Sequence, residues 1–277
     1  LAVRRALPAD GLVLVACSGG ADSLALAAAA RFVGARVGLV TVDHGMQDGS
    51  PRRAAAVAEW ARTAGFDPVE VATVSVDGLP GGPEAAARTA RYAALSAAAA
   101  RFDAAVVLLG HTRDDQAETV LLALARGAGP RGLAGMPQRK GVFLRPLLDV
   151  SRADTRKACA ALGLVPWDDP HNVDPAYARS RVRGAALPAL VAALGDGVVG
   201  NLARSAAQIA ADNAALDELA EAALATASAA PEALRIAELS GLAGAVRTRV
   251  LHCWARRLGA PGGDLSHRHV DALDALL

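Results

Sequence analysis

Three cysteines in 277 residues, Cys17, Cys159 and Cys253, form no Cys-x-x-Cys pair. That argues against a disulfide framework, a zinc ribbon or a cysteine-held iron–sulfur cluster. Aromatic residues make up only 3% of the chain, so the core must be built from Ala, Val and Leu. Lysine is almost missing: apart from Lys140 and Lys157, every basic side chain is arginine. No apolar run approaches the roughly 20 residues of a membrane span. The Ala-rich stretch 25–30 stops at Arg31, and 93–100 stops at Arg101. The start carries no charged-then-apolar leader, so the expectation is a soluble, cytoplasmic protein with no membrane partner. With a net charge of +1, bulk electrostatics do not advertise nucleic-acid binding, although a local basic surface can still supply it.

What is present reads as a globular chain, 53% hydrophobic and 21% charged, long enough for one sizeable domain and a smaller one. Residues 12–16 (LVLVA) form a continuous apolar run, as expected of a parallel strand buried on both faces. Further strands are expected at 36–42, 68–76 and 104–109, alternating with helices at about 23–33, 51–64, 83–101 and 114–126. That alternation implies an α/β fold with a doubly wound parallel sheet. Ligands of such sheets sit beyond the carboxyl ends of the strands. After about 150 the texture changes to a helix at 151–162, a Pro/Asp-rich loop at 167–177 and a glycine hinge at 195–201. A helical pattern then fills 202–277. A boundary near 190 divides the chain into a catalytic domain, 1–190, and a smaller helical domain, 191–277.

Ser18-Gly19-Gly20-Ala21-Asp22-Ser23 lies directly between a strand and a helix. Two glycines let the backbone bring its N–H groups close to a phosphate, and the helix turns its positive end to the same spot. Ser18 and Ser23 add hydroxyls, and Asp22 is a candidate magnesium ligand. A Walker loop is excluded because no lysine follows the glycines. A plain glycine turn capped by Asp22 or Ser23 is the alternative on the loop alone. A second polar string, Gly110 to Thr119 (GHTRDDQAET), again joins a strand to a helix. Asp115 and Glu118, three apart, share one helix face, with His111 and Asp114 just before them. These acids could complete a magnesium site, and His111 could act as an acid or base. The same spacing also serves as a helix-capping box.

The first string resembles the SGGxDS loop of the PP-loop ATP-pyrophosphatases (adenine nucleotide alpha hydrolase-like fold), which split ATP between its α and β phosphates. The second is similar to the HxxDDxxET motif of the tRNA-modifying branch, which includes the lysidine synthetases. Asp43-His44-Gly45 with Ser50 also resembles that family, although Met46 and Gln47 replace its usual Leu-Arg. Glu84-x-x-x-Arg88-x-x-Arg91-Tyr92 matches a family helix, with a plain Glu84–Arg88 surface pair as the bland alternative. Arg145-Pro146-Leu147-Leu148 and the stretch from Asp168 through Asn172 to Tyr177-x-Arg179-Ser180-Arg181-Val182-Arg183 complete the likeness. Ser180 stands where the family usually has Asn.

The resemblance covers roughly 12–190 and implies the following chemistry. ATP and Mg2+ bind at Ser18, Gly19, Gly20, Ala21, Asp22 and Ser23, with Asp22 and Asp115 holding the metal. The wobble cytidine of an isoleucine tRNA bearing a CAU anticodon is adenylated, and free L-lysine then displaces AMP. Arg88, His111, Asp115, Glu118 and Arg183 are the expected catalytic residues, for transition-state charge or for positioning lysine. The helical part would hold the tRNA body, and a homodimer stays open as an assembly. Two alternatives remain: a PP-loop tRNA thiolase, which would want a cysteine pair near the site, and a non-catalytic nucleotide-binding module on the same fold.

Overall fold

The computed structural model describes residues 1–34, 36–45, 49–76, 78, 82–261 and 265–277, without the side chains of Pro83, Glu84 and His171. Met46 and Gln47, and the proposed Glu84–Arg88 pair, therefore lie outside the described residues. In chain order the elements are α1 (Ala2–Ala6), β1 (Leu12–Ala16), α2 (Ala21–Phe32), β2 (Val37–Asp43), α3 (Ser50–Thr63), β3 (Val69–Thr73), α4 (Gly82–Arg101), β4 (Ala104–Leu109) and α5 (Arg113–Ala125). They continue as α6 (Pro130–Leu133), β5 (Arg139–Lys140), β6 (Phe143–Leu144), α7 (Arg152–Ala161), α8 (Ala178–Arg181), α9 (Leu187–Leu194) and α10 (Val198–Ala227). The strands β7 (Ser228–Ala230) and β8 (Ala233–Leu234) precede α11 (Ile236–Ser240), α12 (Gly244–Arg257) and α13 (His267–Asp274).

Six strands form one sheet in the order β3-β2-β1-β4-β6-β5, parallel throughout except for the antiparallel edge pair β5–β6. This is the α/β parallel architecture the strand–helix alternation implies. Side chains alternate across the sheet. Val13 and Val15 pack with Leu26, Ala27 and Cys159 on one face, while Leu12 and Leu14 pack with Leu95, Ala98 and Phe143 on the other. Ala27, Ala30, Ala61 and Ala98 are fully buried, so small side chains let the helices approach the sheet closely where aromatics are scarce. Chain order reverses between β1 and β4. Their carboxyl ends, the topological switch point, therefore receive both polar strings.

The chain divides into two compact units, residues 1–128 with 135–206, and residues 129–134 with 207–277. In the second, Leu224, Leu239, Val250, Leu251 and Val270 form a separate apolar core. Arg249 donates to Asp217 at 3.0 Å, and Arg247 grips Asp274 through two bonds of 2.6 and 3.0 Å. The β7–β8 hairpin interrupts the region expected to be helical. Among the described residues no single helix is long and apolar enough to cross a membrane.

Candidate active site

The turn after β1 is held by its own side chains. Ser23 donates its hydroxyl to the Gly20 carbonyl at 2.9 Å and accepts from the Ser18 N–H at 3.2 Å. The two serine hydroxyls lie 3.3 Å apart. Gly19 adopts φ +84°, and a Cβ there would stand 2.9 Å from Val57 Cγ2, so only glycine satisfies both the turn and its neighbour. The Gly19 carbonyl accepts the Trp167 N–H at 2.9 Å, tying the Pro/Asp-rich loop to the turn. Gly20 is the extended residue before α2, and the Asp22 carboxylate lies in the first turn of that helix. Thr155 of α7 donates to Asp22 Oδ1. Burial pushes the Asp22 pKa up, outweighing the Thr155 hydrogen bond that favours its ionised form.

The second string opens α5 with a capping box made by Thr112 and Asp115 rather than by Asp115 and Glu118. Thr112 donates its N–H and its hydroxyl to Asp115 Oδ2 at 2.8 and 3.0 Å. Asp115 Oδ1 is left for guanidinium groups, Arg152 at 2.8 Å and Arg183 at 3.2 Å. Burial opposes ionisation of Asp115, but Arg152, the Thr112 N–H and Arg183 prevail, and its pKa is lowered. Glu118 is completely buried. Its oxygens meet Arg183 Nε at 2.7 Å, Arg183 Nη2 at 3.0 Å, Arg152 Nη2 at 3.1 Å and Arg179 Nε at 3.7 Å. A buried carboxylate is tolerated when paired in this way.

His111 sits beside these acids with its Nδ1 shielded and without a partner. Burial, reinforced by Arg91, Arg145 and Arg88 against the opposing pull of Asp115, pushes its pKa down to about 3. It is a neutral imidazole at physiological pH, with a nitrogen lone pair to offer. Arg88 stacks over Tyr92, 4.9 Å from the ring centroid, and Arg145 donates to the Tyr92 hydroxyl at 3.1 Å. A cleft of about 350 Å³ opens in this unit, with Ser18, Arg88, Arg179 and Arg183 in its wall opposite His44 and Trp167. Arg53 lies 4.1 Å from the centroid of the Trp167 ring.

The structure thus gathers the expected residues at the carboxyl ends of the parallel strands. Ser18, Arg88 and Arg183 face the cleft, while Asp22, Asp115 and Glu118 are joined to it through arginines. The pair expected to hold magnesium is different in character. Arg152 reaches Asp22 Oδ2 at 3.6 Å and Asp115 at 2.8 Å, and the remaining oxygen of each acid accepts from a threonine. Among the described residues, no group of three His, Cys, Asp or Glu side chains is set to hold a metal ion. As arranged, the oxygens of both acids are already engaged by Arg152 and the two threonines.

Residues 5–190 match the PP-loop domain family, and residues 234–277 match the TilS substrate binding domain. The entire chain aligns with the tRNA(Ile)-lysidine synthase of Salinispora arenicola at 66% identity, covering 86% of that protein. The chain belongs to the tRNA(Ile)-lysidine synthase family. Two further members of the tRNA(Ile)-lysidine synthase family, from Salinispora tropica and Thermobifida fusca, align over 100% of the chain and 87% of their own length, at 63% and 56% identity. Among solved structures, the U34-tRNA thiolase NcsA from Methanococcus maripaludis, with its 4Fe–4S cluster, superposes with a TM-score of 0.61. At 18% identity over 75% of this chain and 77% of that one, it shares the fold alone.

Arg152, Thr155, Arg53 and Trp167 are the site residues that motif reading passed over. Arg152 contacts Asp115 from 37 positions away. The one available signal was a Ser-Arg opening a helix just after Arg145-Pro146-Leu147-Leu148.

Proposed function

We propose that this chain ligates lysine to C2 of the wobble cytidine in isoleucine tRNA with a CAU anticodon. The C2 carbonyl oxygen attacks the α-phosphorus of ATP, pyrophosphate leaves, and the ε-amine of lysine then attacks C2 and displaces AMP. The supporting observation is convergence. Ser18 of the serine–glycine loop lines a cleft together with Arg183, the arginine that pairs with Asp115 and Glu118 of the acid-bearing helix, in a chain whose full length follows proteins named tRNA(Ile)-lysidine synthase.

Each group then has a task. N–H groups at the start of α2, with the Ser18 and Ser23 hydroxyls, receive the phosphates of ATP. A magnesium ion carried on the triphosphate would supply charge neutralisation for the leaving pyrophosphate. Arg88 and Arg183, in the cleft wall, meet negative charge building at the α-phosphorus. Asp115 and Glu118 aim Arg183 through the bonds described above. His111, held neutral by burial and the neighbouring arginines, serves as an uncharged hydrogen-bonding group beside the acids, while the lysine ammonium loses its proton to solvent before the free amine attacks. Residues 1–190 act as the catalytic domain and 191–277 as the helical tRNA-binding domain, in the cytoplasm. Splaying one base into the pocket fits recognition of a single-stranded anticodon.

Incubation with CAU-anticodon tRNA, ATP, Mg2+ and labelled lysine tests the reading. Lysine-dependent AMP release with label entering tRNA is expected. A folded sample that incorporates no label overturns it. The non-catalytic alternative is separated by Asp115→Asn: an enzyme loses turnover, whereas a sensor has none to lose and keeps binding ATP.

A further inference from the structure

One side chain stands where the two motifs meet. Arg152 begins α7 directly after the capping residue Ser151, and its own N–H donates to Asp114 Oδ2 at 2.8 Å. That bond fixes the backbone of Arg152 to the first turn of α5. Its guanidinium then spans Asp22 on α2 and Asp115 and Glu118 on α5, at 3.6, 2.8 and 3.1 Å. The side chain is only 20% exposed. Four carboxylates (Asp22, Asp114, Asp115 and Glu118) surround Arg152, and among the described residues Arg183 and Arg179 also contact Asp115 or Glu118. Among the described residues, no other side chain forms an ion pair with both the nucleotide loop's acid and the acids of α5. Without this arginine, Asp22 and Asp115 would face each other as like charges in a half-dry pocket.

We propose that Arg152 is a positioning residue that acts as the resident cation between Asp22 and Asp115. It locks the nucleotide loop and the acid helix into one register, so that the divalent ion is carried by the triphosphate and not by this acid pair. A planar guanidinium suits the task because it can hydrogen-bond along two edges at once, which an ammonium cannot. The inference rests on the nucleotidyl-transfer reading for its kinetic part, and its metal-binding part stands without that reading.

The test uses the full chain with Arg152→Met and Arg152→Lys. Manganese binding without nucleotide is followed by electron paramagnetic resonance. The native chain is expected to show no stoichiometric site. Arg152→Met should gain one, because it removes the guanidinium that spans Asp22 and Asp115 and leaves Asp115 with Arg183 alone, and adding Asp22→Asn should abolish it. In the lysine-transfer assay Arg152→Met should lower kcat about 100-fold, the scale of misplacing reacting groups by an ångström. KM for tRNA should change less than about threefold, since uniform binding is untouched. Arg152→Lys should recover part of kcat without gaining the manganese site. Stoichiometric manganese binding by the native chain that depends on Asp22 and Asp115 overturns the proposal, as does full kcat in Arg152→Met. If Arg152→Met does not fold, the native chain and Arg152→Lys decide by the same manganese readout. If the native chain transfers no lysine, the functional reading fails while the manganese comparison still judges Arg152.

Discussion

At His111 the surroundings rewrite an ordinary side chain. Its pKa of about 3 lies far below the usual histidine value of 6.5, so the folded chain holds the ring neutral while an unfolded chain would protonate it below about pH 6.5. Protons therefore favour unfolding: stability is unaffected above that pH and declines as pH falls from about 6.5 toward 3. His111→Asn should flatten this part of a urea-midpoint-against-pH profile, and an unchanged slope would contradict the assignment. Glu118 makes a different prediction, because several arginines depend on it. Glu118→Ala leaves those guanidiniums without their buried partner and should cost about 3 kcal/mol in chemical denaturation, along with nearly all lysine transfer. Glu118 and Asp115 could be found in the sequence because they lie in one contiguous string. Arg152 could not, since it is one arginine among many and its partners are assembled only by the fold.

At the scale of elements, β1 and β4 were legible as short unbroken apolar runs and β3 by its alternation, and the helices between the strands as Ala/Leu segments bounded by charge. The two-residue strands β5 and β6 and the β7–β8 hairpin were not, because a strand that short has no period to detect. Close contact between elements was equally hidden. A Cβ on Gly110, at the end of β4, would lie 3.1 Å from the backbone of Asp22 and Ser23. Gly110→Ala must therefore push the start of α2 away from the sheet by a few tenths of an ångström. ATP affinity measured by calorimetry should fall about tenfold, a modest displacement in the sense that full misplacement costs more. An unchanged ATP affinity would show that the phosphate-binding turn tolerates the shift.

For the molecule as a whole, the proposed division of labour is that one unit performs chemistry while the other grips tRNA. Asp22→Asn should then abolish AMP formation yet leave tRNA affinity within about threefold, with the same dependence on salt, because phosphate contacts made elsewhere set that slope. A filter-binding titration at several salt concentrations checks it, and a collapse of affinity would place the tRNA body on the nucleotide cleft instead. The net charge of +1 carries no sign of such a role, since a local basic surface needs no overall excess. The glycine-rich break near 195–201 marks the end of α9 and the start of α10, whereas the two units divide further on, at 206–207 within α10, with residues 129–134 joining the second, which no local sequence pattern announces.

Between α8 and α9 the backbone runs through a single π turn, Val182–Ala186, which holds one residue more than an α turn would. That surplus acts as a phase adjuster. Arg179 ahead of it and Arg183 within it point at Glu118, and downstream Leu187 is 7% exposed against the core. Deleting Ala185 would let the segment relax into an uninterrupted α-helix, but would turn everything beyond it by about 100°. Such a shortened chain should keep its circular-dichroism helicity while losing a sharp melting transition, because one helix could no longer serve the acids and the core together.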